Sequence, residues 1–133
     1  MTPSTITITT ELQLLGWACA LGLLHVLATV VAGVAQHGLR YILGSRDEQK
    51  PLQGMPARLD RAFRNFLETF PFFIAAVLLA QVVGRHSALT VLGAQLYVWA
   101  RLAYIPLYLS GVPALRTLCW TAAFAGIVLV LAG

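Results

Sequence analysis

Residues 12–39, LQLLGWACALGLLHVLATVVAGVAQHGL, contain no formally charged side chain. At a helical rise of ~1.5 Å per residue such a run extends about 42 Å, more than the ~30 Å of a hydrocarbon slab. It predicts a membrane-spanning helix. The preceding MTPSTITITTE has no basic residue, and the apolar run is too long for a signal-peptide core, so the segment is expected to be retained. Three further apolar runs follow, at about 57–84, 87–109 and 113–132, and the first is expected to extend to about residue 41. Of the 133 residues 59% are hydrophobic and 11% charged, whereas a soluble domain is about a quarter charged and needs those charges for its shell. The expectation is an all-α membrane protein, one four-transmembrane-helix bundle over residues 1–133.

The connections set the topology. Only GSRDEQKPLQGMP, residues 44–56, reads as a true loop. GRHS at 84–87 and SGVP at 110–113 are so short that spans II, III and IV must be antiparallel neighbours. Arg40, Arg46, Lys50, Arg58, Arg61, Arg64 and Arg116 gather at one side, against Arg85 at the other. By the positive-inside bias, the first and third loops face the cytoplasm and both termini the opposite side. The net charge of +4 therefore reports orientation, and no basic stripe with interleaved aromatics suggests a nucleic-acid partner.

Two charges sit at membrane depth: Glu68 in span II and Arg101 in span III. Counted from the far ends of their spans, Glu68, Arg101 and Arg116 all lie roughly 21 to 24 Å down, almost on one level. An unpaired charge there costs a few kcal/mol on insertion scales, so an ion pair between Glu68 and Arg101 is expected. Such a pair could serve only to hold two helices together. Around it, however, Arg58, Arg61, Arg64, Asn65 and Glu68 fall within an arc of roughly 120° on span II. Tyr97, Arg101, Tyr104 and Tyr108 fall within about 60° on span III. Tyr108 alone would read as an interfacial anchor. Together these residues exceed what helix adhesion requires, and they suit a small, multiply charged ligand entering from the cytoplasmic side.

Other chemistries find little support in the residues. Cys19 and Cys119 lie singly in apolar runs, without disulfide or zinc spacing. His25, His37 and His86 are too scattered for a metal site. No nucleophile triad or glycine-rich phosphate loop is present. A four-helix exporter would need a carboxylate deep in span I, where nothing acidic follows Glu11.

RLDRAFRNFLETFPFF, residues 58–73, resembles the signature of the membrane-associated proteins in eicosanoid and glutathione metabolism, the MAPEG family. The matching positions are Arg61-Ala62, Asn65, Glu68 and Pro71. WARLAYIPLYLSGVPALRTLCW, residues 99–120, is similar to that family's third and fourth helices through Arg101, Tyr104, Tyr108 and Arg116. GSRD at 44–47 is similar to the first loop of bacterial members, and in a bacterial member the location would be the inner (plasma) membrane. The resemblance spans about residue 33 to the end.

What the resemblance implies is a homotrimer of four-helix subunits with glutathione, as co-substrate, bound between them near the cytoplasmic face. Carried over by position, Arg61, Arg64, Asn65, Glu68, Arg101, Tyr104 and Tyr108 bind glutathione. Arg40 corresponds to a first-helix arginine contributed by a neighbour, and Arg116 to the catalytic arginine that activates the thiol. The implied activity is a glutathione-dependent transferase or peroxidase, acting on a hydrophobic electrophile dissolved in membrane lipid. Eicosanoid-converting members differ at Tyr104, Thr117 and Trp120, so their substrates are not implied. The alternative is a non-catalytic lipid-binding member of the same fold, against which the retained Arg116 and the full arginine-asparagine-glutamate stripe argue.

The stripe also fits on chemical grounds. Glutathione carries two carboxylates, an ammonium and a thiol, and its recognition needs forked guanidinium groups, a carboxylate and a cation near sulfur.

Overall fold

The computed structural model describes residues 7–45 and 47–133 and is all-helical over them. The helices are α1 (Thr10–His37), α2 (Leu39–Leu43), α3 (Met55–Val82), α4 (Ala88–Ser110) and α5 (Pro113–Ala132). Arg46, counted above among the basic residues, lies outside the described residues. Helices α1, α3, α4 and α5 are each long and apolar enough to cross a membrane. The protein is an integral, multi-pass membrane protein.

Local chemistry accounts for the boundaries. The Thr9 side chain caps α1 by accepting from the Leu12 N–H. At the other end Gly38, with φ 87°, breaks the helix, and the chain resumes as the short α2. The first span therefore stops at His37 and does not run unbroken to residue 41. Glycine tolerates that backbone angle at no steric cost, which an L side chain does not. Pro56 opens α3 and Pro113 opens α5, positions where a missing N–H costs nothing. Ser87 and Thr90 form a reciprocal capping box on α4. Pro71 and Pro106 lie inside α3 and α4, which run on as single helices through both.

Small residues let the helices approach closely. Ala18, Ala76, Ala80, Ala94, Ala100 and Ala123 are buried together with Phe73, Tyr97, Ile127 and Val130. The tightest point joins α4 to α5, where a Cβ added at Gly93 would meet the Gly126 carbonyl oxygen at 2.5 Å, and one at Gly126 the Gly93 oxygen at the same distance. Burial between membrane helices brings no hydrophobic gain over lipid, so this contact rests on van der Waals fit. Leu23, Leu27, Val31, Phe72, Trp99 and Leu118 point outward, as side chains facing lipid or another subunit do.

The two ends of the bundle are tied differently. At the end holding the α3–α4 turn, the Glu11 carboxylate is 1% exposed. It accepts from Thr90 Oγ1 at 2.9 Å and contacts His86 Nδ1 at 3.1 Å. Thr9 Oγ1 donates to Gln81 Oε1 at 3.0 Å nearby. This clamp fastens the start of α1 to α3 and α4. At the opposite end Gln36 and Gln53 exchange two 2.9 Å hydrogen bonds and pin the long loop. Arg58 there donates to the Leu109 carbonyl at 3.2 Å.

Candidate functional site

The N-terminal half of α3, the C-terminal half of α4 and the first turns of α5 meet at the loop-44–54 end. Between them lies a cleft of about 440 Å³. Arg61, Arg64, Asn65 and Glu68 enter it from α3, Tyr104 and Tyr108 from α4, and Arg116 from α5. Spacing on α3 explains the first four, which share one face at steps of three and four residues. Tyr104 and Tyr108 are one turn apart, with ring centroids at 5.6 Å. Gly111, at φ 79°, ends α4 and turns the chain so that Arg116 returns above them.

The charges are held by specific contacts. Arg61 Nε donates to the Tyr108 hydroxyl at 2.9 Å. The Arg116 guanidinium lies 5.1 Å from the centre of the Tyr108 ring, within the range of a cation–π attraction. It makes no hydrogen bond or ion pair to a described residue. Arg64 is bridged to Asp60 at 3.0 Å, one turn back along α3, a partner readable from the i, i+4 spacing alone.

Arg101 lies behind the cleft, 1% exposed, and its partner is not the expected one. Its Nη1 donates to Asn65 Oδ1 at 2.8 Å, and the guanidinium rests 4.1 Å from the Tyr104 ring centre and 5.6 Å from that of Phe66. No Glu68–Arg101 ion pair forms. The Glu68 side chain is exposed to the cleft and makes no hydrogen bond or ion pair among the described residues, its attraction to Arg101 acting only at longer range. Arg101 Nε and Nη2 are buried without a partner. One amide and two aromatic faces accompany the buried guanidinium where a carboxylate was expected.

Three other residues fall outside the cleft. Tyr97, on the same arc of α4, stacks on Phe73 at 4.0 Å and shares a 3.1 Å hydrogen bond with Thr69, as a core residue. Arg58 holds the α4 end. Arg40 is exposed on α2 and does not line the cleft of its own chain. The buried His25 is stacked on Phe66 at 5.6 Å, the ring that Arg101 also approaches, and nothing in its sequence context marked it.

The family model of the MAPEG family matches residues 14–133. No curated protein and no solved structure matches the chain. With nearly the whole chain matched, and with four apolar helices placing the arginine, asparagine, glutamate and tyrosine side chains on one cleft, this protein belongs to the MAPEG family.

Proposed function

We propose that this protein is a glutathione-dependent membrane transferase or peroxidase. It would act as a homotrimer on a hydrophobic electrophile, with Arg40 of a neighbour closing each site. The observation that carries the reading is the convergence of three arginines, one carboxylate, one amide and two phenols on a single cleft. Arg61 and Arg64 offer forked donors for the two glutathione carboxylates. Glu68, free of any ion pair among the described residues, is the carboxylate for the ammonium. Asn65 accepts from Arg101 through Oδ1, which leaves both of its amide hydrogens for the ligand.

Arg116 would stand at the sulfur. A free thiol has a pKa of ~8.5, and a neighbouring cation in a partly dry site raises the thiolate fraction at neutral pH. The thiolate then attacks an electrophilic carbon arriving from the bilayer, the C–S bond forming as a leaving group such as chloride departs with its electron pair. Toward a hydroperoxide it would take the distal oxygen and release the alcohol, a second glutathione converting the sulfenic acid to disulfide and water. Equilibrium binding of glutathione to the detergent-purified protein, with and without Glu68→Gln and Arg61→Gln, tests this. Binding that is saturable and weakened in both variants is expected; absence of binding by the intact protein would remove the reading.

A further inference from the structure

A second cleft, of about 900 Å³, opens beside the first, between the end of α1, α2, the long loop and the start of α3. Its volume lies within the range of small-molecule sites. Lys50, Arg61 and Arg64 contribute cations to its lining, and Asp60 the one carboxylate among the described lining residues. That carboxylate is already bridged to Arg64. Of Arg61 only Nε is engaged, by Tyr108. Lys50 is set in place through its backbone N–H, which donates to the Tyr41 hydroxyl at 2.7 Å, with Nζ 5.2 Å from the Tyr41 ring centre. The polar rim therefore carries an excess of positive charge on a braced loop.

The inner wall is apolar. Val30, Gly33, Ile42 and Leu52 form most of it, with Thr29 and His37 between them on α1, and Val30 lies about 10 Å along α1 from His37. Val30 also belongs to an outward stripe with Leu23, Leu27 and Val31, all exposed and repeated at helical spacing. The cleft thus joins a cationic mouth at the end of the spans to an apolar track running down the first helix.

The geometry points to a binding site for an anionic phospholipid, its phosphate between Lys50, Arg61 and Arg64 and its acyl chains along the Val30 stripe. A freely soluble phosphate would use the rim alone and leave the track without purpose. Basic pockets between membrane helices attract anionic headgroups by roughly a fivefold affinity gain per cation at the surface. Lys50 and the apolar track lie outside the first cleft, whereas Arg61 and Arg64 line both, so the lipid phosphate and glutathione would share those two arginines.

The test is lipid retention by native mass spectrometry, after equilibrating the purified protein with micelles holding equal amounts of phosphatidylglycerol and phosphatidylcholine. Phosphatidylglycerol is expected in several-fold excess. Lys50→Gln should lower that excess about fivefold, and Lys50→Arg should keep it, with both variants melting as the parent does. No preference for phosphatidylglycerol, or an equal preference in Lys50→Gln, overturns the proposal. Displacement by glycerol phosphate as effective as displacement by phosphatidylglycerol also overturns it, in favour of a soluble anion.

Discussion

The Arg101 guanidinium donates to Asn65 Oδ1 at 2.8 Å while stacked 4.1 Å from the Tyr104 ring centre, so an amide and an aromatic face replace the carboxylate that a buried cation usually demands. This arrangement leaves Glu68 directed at the cleft. Hydrogen bonds to charged groups contribute about 1.5–3 kcal/mol. Asn65→Ala is therefore expected to destabilise the protein by about 2 kcal/mol. Glu68→Gln, at an exposed position, should change stability by less than about 0.5 kcal/mol. Thermal unfolding in detergent distinguishes them. A double-mutant cycle with Arg101→Met should give coupling to Asn65 and near-additivity with Glu68; the reverse pattern would restore the ion pair.

The periodicity of α3 was enough to put Arg61, Arg64, Asn65 and Glu68 on one face, because four residues within three turns fix their own direction. The partner of Arg101 was not readable in that way. Asn65 and Glu68 are one turn apart on the same stripe, and counting residues from helix ends cannot resolve a ~5 Å difference in depth. Tyr97 shows the same limit: it shares the arc of Tyr104 and Tyr108 but sits two turns deeper, where Phe73 and Thr69 enclose it. The Gly38 break was hidden because a single glycine within an apolar helical run is not by itself a stop signal. The Glu11 clamp was hidden because its partners Thr90 and His86 are remote in sequence.

Close approach at Gly93 and Gly126 makes a second prediction. A methyl group at either position meets a carbonyl oxygen at 2.5 Å, and backbone cannot yield as a flexible side chain can. Gly93→Ala and Gly126→Ala should each cost about 1–3 kcal/mol through separation of α4 and α5. Gly16→Ala is the control, since nothing lies within 4 Å of its added Cβ. Comparable melting temperatures for all three variants would show that the helix pair has slack.

Orientation follows from charge. Lys50, Arg58, Arg61, Arg64 and Arg116 lie at one end of the bundle and Arg85 at the other, so the long loop is expected in the cytoplasm. In a background carrying Cys19→Ser and Cys119→Ser, Thr7→Cys should react with an impermeant maleimide added to intact cells. Ser45→Cys should react only after the cells are opened. Labelling of position 45 alone from outside would reverse the orientation and place the cleft mouth in the other compartment.

Arg116 is the half-buried cation of α5; it lines the cleft beside the Tyr108 ring, and its guanidinium has no hydrogen bond or ion pair to a described residue. If it holds the glutathione sulfur as thiolate, the interaction is strongest in the reacting state, and its loss should appear in turnover more than in binding. Arg116→Ala is expected to lower kcat with a chloronitrobenzene electrophile by roughly 10²–10³-fold, the scale of one lost charge-stabilising donor. The glutathione KM should change little. The ultraviolet absorbance of bound thiolate should disappear at neutral pH. Because a free thiol ionises near ~8.5, raising the pH toward that value should return part of the activity to Arg116→Ala while adding little to the parent. Should Arg116 instead grip a carboxylate, KM would rise with kcat kept, the thiolate absorbance would persist once glutathione saturates, and high pH would rescue nothing. The contribution at sulfur would then fall to Arg64, Tyr104 or Tyr108, the remaining cleft residues able to donate to it.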